Sequence, residues 1–214
     1  MRCIHHMWNS SFSTDQSTPL DTIHRWKTLW YTHQFAFPWW RVNILMNALS
    51  AMNAPVDLVA MQCPQDAQFK AGFSPKHNKV WMCGNLIHNP FQYRRLLAHE
   101  IIHAFDFARA RIDTGNLQHI ACSEVRAYTL SGECDLWTKF WEYAADDWLG
   151  TKMFSRKQRC VKEGALRSMG GSAEASTAIE EVFPRCFRDH WPFTTESHMD
   201  TRFRDSPMIS DDRT

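Results

Sequence analysis

The chain has 214 residues, 44% of them hydrophobic, and 24 Lys and Arg against 23 Asp and Glu leave a net charge of +1. This length and apolar content exclude a disordered chain and suit one packed domain with a small extension, and the near-neutral net charge sets up no strong field directed at nucleic acid or an anionic membrane. No run of about 20 uncharged apolar residues exists to span a bilayer; the most apolar segment, residues 42–61, is interrupted by Asn43, Asn47, Asn53, Pro55 and Asp57.

In chain order, residues 1–18 read as a flexible polar leader without the apolar run of a secretory signal. A helix is predicted from Pro19 to about His33, with Ile23, Trp26, Leu29 and Trp30 as its apolar stripe. A second runs from Trp39 to Met52, carries Val42, Leu45, Met46 and Leu49 on one side, and is ended by Asn53-Ala54-Pro55. The clustered Trp26, Trp30, Trp39 and Trp40 are read as core packing, with a partner or membrane surface as the alternative. Residues 56–61 predict a strand. Residues 68–73 and 79–83 flank the turn Ser74-Pro75-Lys76-His77-Asn78 and predict a β-hairpin. Pro90 to about Ile112 reads as one long helix, with Asn89 as N-cap, Pro90 at the first helical position and Asp113-Thr114-Gly115 as the stop. Further helices are predicted from Asn116 to about Gly132, over the aromatic segment Leu136–Trp148 and from Ser172 to Val182. The basic stretch Lys152–Lys162 reads as a solvated helix face or loop, and Phe183–Phe193 as a compact closure rich in aromatics. Residues 194–214 form a polar tail, and no internal repeat is found. The domain is thus expected over 19–193.

The chemistry lies in the long helix, where His99-Glu100-Ile101-Ile102-His103 has the pattern H-E-x-x-H. Four residues make about one helical turn, so both imidazoles leave the same face and can hold one zinc ion. Glu100 stands beside them as the general base for a water whose pKa zinc lowers. Random order gives this pattern in about one chain in forty of this composition. The bland alternative, two exposed histidines on an ordinary helix, is opposed by Leu97, Ile101, Ala104, Phe105 and Ala108, whose spacing buries one side of the helix.

Catalytic zinc takes three protein ligands and keeps one position open. Glu124, on the next helix, is the favoured third ligand, as in gluzincins; Asp106 is the nearer alternative or a group that orients a ligand histidine, and His119 is a weaker one. Strands followed by a metal helix are the order of small zincin domains. The fold class expected is α+β, zincin-like of gluzincin type, with a small antiparallel or mixed sheet, the active-site helix and following helices. In that arrangement an edge strand pairs with extended substrate, a role assigned to Val80–Cys83. The seven cysteines include no C-x-x-C, so a structural zinc knuckle is not expected, and composition leaves reduced thiols and disulfides equally open.

The segment His99-Glu100-Ile101-Ile102-His103-Ala104-Phe105-Asp106, then Leu117–Ala127 and Leu130-Ser131-Gly132-Glu133-Cys134, closely resembles the mitochondrial inner-membrane metalloprotease family. The likeness extends upstream through Gly72-Phe73-Ser74-Pro75 and Ile87-His88-Asn89. Downstream it takes in Cys160-Val161, Val182–His190 and Pro192-Phe193, so it covers about residues 40–193. The resemblance implies a zinc endopeptidase, peripheral on the intermembrane-space side of the inner membrane, that processes the precursor of an ATP-synthase membrane subunit and assists ATP-synthase assembly. It carries the metal histidines and the catalytic glutamate onto His99, His103 and Glu100, and it favours disulfides, with Cys3 as the free thiol. Relatives often carry one more cysteine near Cys63 and another just after the helical aspartate, where this chain has Phe107-Ala108. Two other readings are a non-catalytic assembly chaperone retaining the fold, and a nuclear H-E-x-x-H protease acting on DNA-bound proteins. Neutral charge and the lack of a knuckle speak against the nuclear one.

Overall fold

The computed structural model describes residues 22–135 and 150–193. The expected leader 1–18, the start of the first helix at Pro19, Cys3, the helix over 136–148 and the tail 194–214 lie outside the described residues. The chain divides into two units between Arg109 and Ala110.

In the first unit, helix α1 spans Thr22–Tyr31 and runs into a π-helical turn, Thr32–Ala36. Its inward side is polar. Thr28 and Tyr31 are buried, the Tyr31 hydroxyl donates to the His88 carbonyl at 2.8 Å, and Thr32 Oγ1 is hydrogen-bonded to the Tyr93 hydroxyl at 2.7 Å. Burial raises the pKa of that Tyr93 hydroxyl. This corrects the expected packing of the tryptophan stripe. With those hydroxyls holding the inner side, Ile23, Trp26, Leu29 and Trp30 face outward. Helix α2, Trp40–Ala51, buries Val42, Leu45, Ala48 and Leu49 as the pattern predicts. It stops where Asn53 takes positive φ and the Ala54 N–H reaches back to the Leu49 carbonyl at 2.9 Å, a left-handed cap that asparagine tolerates.

Three strands follow: β1 Asp57–Met61, β2 Ala71–Ser74 and β3 Lys79–Cys83. Strands β2 and β3 form the predicted antiparallel hairpin, in register Ala71 to Met82 and Ser74 to Lys79. Asn78, at φ 48°, closes its turn. Strand β1 pairs parallel with β3, Asp57 opposite Lys79 and Met61 opposite Cys83, so the mixed sheet has the order β1-β3-β2. Residues 79–83 are therefore the central strand. Both its edges are already hydrogen-bonded, so the substrate-pairing role expected of Val80–Cys83 is not open to it. The disulfide Cys63–Cys83 and the Asn85 side chain close the strand ends. Asn85 accepts from Cys63 N at 2.9 Å and donates to Cys63 O at 2.8 Å. Helix α3, Pro90–Arg109, packs on α2, β2 and β3.

The second unit is helical: α4 Leu117–Leu130, α5 Gly150–Ser168 and α6 Ala173–Cys186. Both α5 and α6 pack on α4. The basic stretch 152–162 is thus helical. Helix α6 outruns its expected end at Val182 despite Pro184, because Phe187 stacks on Phe183 at 4.9 Å between centroids and Cys186 is bonded to Cys122. A third disulfide, Cys134–Cys160, ties the segment after α4 to α5. Six of the seven cysteines are therefore paired. Among the described residues no helix is long and apolar enough to cross a membrane.

Candidate metal centre

Helix α3 starts as its sequence dictates. Asn89 Oδ1 accepts from Phe91 N at 2.8 Å and Gln92 N at 3.3 Å, and Pro90 needs no partner at the first position. Its middle is buried on every side: Leu97 through Asp106 are all inside. His99, Glu100 and His103 thus sit in a dry environment, and the two imidazoles lie 4.9 Å apart between centroids at 72°. A buried pair of histidines one turn apart departs from the exposed pair of an ordinary amphipathic helix.

The helix ends at Arg109, short of the expected Ile112. In a continuing helix the Asp113 N–H would return to Arg109; it donates instead to His119 Nδ1 at 3.1 Å. Asp113 Oδ1 meanwhile accepts from Gly115 N at 2.8 Å, shaping the turn into α4. The N-cap there is Asn116, whose Oδ1 accepts from Gln118 N at 2.9 Å and His119 N at 3.4 Å. His119 is accordingly engaged with this loop. Along α4, Ile120 through Ala127 are all buried, and Glu124 is among them.

Among the described residues, the group able to hold a metal ion is His99, His103 and Glu124, whose ligand atoms all lie within 4.8 Å of one another. Bonds of about 2.1 Å to a tetrahedral ion set such atoms about 3.4 Å apart. Two imidazole nitrogens and one carboxylate oxygen are a donor set suited to zinc. Asp106, the nearer alternative, has a different engagement. It is fully buried, and its Oδ1 accepts from Arg109 Nε at 3.1 Å while the guanidinium lies over the Phe105 ring at 5.6 Å.

One buried group went unread in the sequence. Arg126, two residues beyond Glu124, has no exposed surface; it pairs with Asp189 Oδ1 at 2.6 Å and donates to the carbonyls of Asp189 and Trp191. The adjacent His190 is held below its ordinary pKa, first by burial and then by the charges of Lys157 and Arg126, with Asp189 opposing them. An arginine amid the apolar residues of α4 was the available signal.

The H-E-x-x-H helix thus carries two buried histidines that, with Glu124, form a group able to hold a metal ion. A family model, Peptidase M76, matches residues 34–194, and the chain belongs to that family. It is 39% identical over 139 residues to the mitochondrial inner membrane protease ATP23 homolog of Xenopus laevis, covering 62% of this chain and 57% of that relative. It is 37% identical over 160 residues to the mitochondrial inner membrane protease atp23 of Schizosaccharomyces pombe, covering 71% and 83%. The Homo sapiens ATP23 homolog is 35% identical over 173 residues, covering 76% and 67%. The matched part spans 57% and 59% of the length of the Xenopus laevis and Danio rerio relatives. No solved structure matches the chain.

Proposed function

We propose that the chain is a zinc-dependent endopeptidase with a zincin-like, gluzincin-type domain over 19–193. His99, His103 and Glu124 hold one zinc ion and Glu100 is the catalytic base. The observation that carries this reading is the convergence of three buried ligand atoms within 4.8 Å of one another, with Glu100 next in sequence to the first of them. When bound, zinc supplies Lewis acidity toward water and the scissile carbonyl. Glu100 takes a proton from the attacking water and returns it to the leaving amine. The burial of α3 around it keeps bulk water from competing for that proton.

The relatives' names and the sequence resemblance support a place on the inner mitochondrial membrane, peripheral and facing the intermembrane space. On the resemblance, the substrate is the precursor of an ATP-synthase membrane-sector subunit, and the chain also assists ATP-synthase assembly. The test compares zinc content and peptide cleavage in three purified proteins. Wild type should carry about one zinc per chain, and Glu124→Ala little. Glu100→Gln should keep its zinc while cleavage falls by about a hundredfold or more. Full zinc in Glu124→Ala would remove that ligand from the assignment, and undiminished cleavage by Glu100→Gln would remove the base. A well-folded wild type without zinc would favour the assembly-chaperone reading.

A further inference from the structure

Helix α1 is amphipathic the wrong way round for a helix that only packs on its own domain. Ile23, Trp26 and Trp30 recur at helical spacing on the side away from buried Thr28 and Tyr31, and they are 74%, 69% and 54% exposed. Ring contacts carry this face onward. Trp30 meets Phe35 at 4.8 Å, and Phe35 meets Phe91 at 6.0 Å between centroids. The Arg94 guanidinium lies 4.8 Å from the Phe91 ring and 4.7 Å from Trp39, and Arg41 lies 5.5 Å from Trp39 and 4.9 Å from Trp40. Phe91 and Trp40 are themselves 47% and 51% exposed. Two helices, the π-helical turn and the first turn of α3 thus build one continuous aromatic surface within the first unit. A patch of this kind marks an interaction site.

Its cations run in two stretches: Arg25, Lys27 and Arg41 between Asp21 and Asp57, and Arg94 and Arg95 ahead of Glu100. The cations sit close enough to feel one another. Arg94 is held below its ordinary pKa by burial first, then by the charges of Arg95 and Arg41. Arg41 and Arg94 thus stand against the rings of this surface, and Arg25 and Lys27 flank the exposed Trp26 in sequence. Exposed tryptophan interleaved with arginine and lysine matches an anionic bilayer surface: indole rings settle among the headgroups while the cations meet the lipid phosphates.

We propose that this surface, centred on Trp26, Trp30, Trp40, Phe91, Arg41 and Arg94, docks the protein on an anionic lipid bilayer. The proposal adds the docking face and the lipid chemistry, and it rests on the inner-membrane reading only for which membrane is met.

Vesicle flotation of the full chain tests it without any peptide substrate. The wild type should float with phosphatidylcholine vesicles in which about a quarter of the lipid is phosphatidylserine, and more weakly with phosphatidylcholine alone, the difference shrinking as salt rises. Trp26→Gln/Trp30→Gln, at exposed positions, should bind at least about tenfold more weakly. Arg25→Gln/Lys27→Gln should lose about fivefold per cation on the anionic vesicles alone. Glu100→Gln should float like the wild type, which separates failure here from failure of the peptidase reading. A wild type that ignores both vesicles, or tryptophan variants that float equally well, would overturn the proposal. So would a lipid-free dimer that the Trp26→Gln/Trp30→Gln change dissolves while vesicle binding is absent, since the face would then join two copies of the chain.

Discussion

Arg126 meets three acceptors of the segment that follows α6: the Asp189 carboxylate and the carbonyls of Asp189 and Trp191. A guanidinium with no exposed surface is stable there only while those partners stay in place. Arg126→Met should cost about 3–5 kcal/mol in urea unfolding, because it leaves the Asp189 charge buried and uncompensated. A loss under about 1 kcal/mol would mean that the pair is solvated in the folded protein. The same residue marks how far the sequence could be read. His99 and His103 were legible because their relation is local: four residues, one turn, one face. Arg126 was not legible in this way, since its partners lie 63 and 65 residues away and no periodicity connects them. Glu124 lies between these cases, favoured by helix order and one of three residues whose side-chain donor atoms lie within 4.8 Å of one another and could hold a metal ion. Asp106 shares the histidines' face by count, but the ion pair it makes with Arg109 could not be counted out from spacing.

At the scale of elements, caps and stops were the most readable features. Asn89, Asn116 and Ser172 each place a side-chain oxygen on a first-turn N–H, and Asn53 ends α2 in the left-handed region. Pairing partners were not readable in the same way. The hairpin follows from its turn, but the parallel addition of β1 on the far side of β3 is a long-range choice that alternating residues do not encode, and it moved the expected edge strand to the centre. Close approach of helices was equally hidden. Gly164 of α5 faces Tyr128 of α4 so tightly that a Cβ there would lie 2.5 Å from the ring, while the Tyr128 hydroxyl meets Ser168 Oγ at 3.1 Å. Gly164→Ala should therefore lower stability by about 1–3 kcal/mol, read by thermal or urea unfolding, even though alanine is the better helix former by about 1 kcal/mol. A neutral or stabilising result would show that α4 and α5 part readily.

For the whole molecule, composition set the class and left the arrangement open. It called for a packed chain, the order of elements for an α+β fold and the hydropathy for no spanning helix, and the described residues agree. It did not foresee that the chain divides between Arg109 and Ala110, because that boundary carries no run of glycine, proline or serine; it falls at the end of α3. Nor could tryptophan content alone say which rings face outward. The cysteines carry one more consequence, and it concerns the order of events in oxidation. Cys134–Cys160 is nested inside the loop closed by Cys122–Cys186, with sequence separations of 26 and 64. In an extended chain the statistically favoured partner of Cys122 is Cys134, twelve residues on, ahead of Cys186; the shorter loop is easier to close by about 1.5 kcal/mol. Once α4 has formed, the nine helical residues from Cys122 to Leu130 hold their ends about 12 Å apart, so Cys134 meets Cys122 only if residues 131–134 double straight back along the helix. The helix thus acts as a ruler that disfavours the nearest wrong bond. Oxidative refolding after full reduction should give native pairing when helix formation precedes the oxidant. With oxidant added in denaturant, peptide mapping should find the Cys122–Cys134 bond in excess.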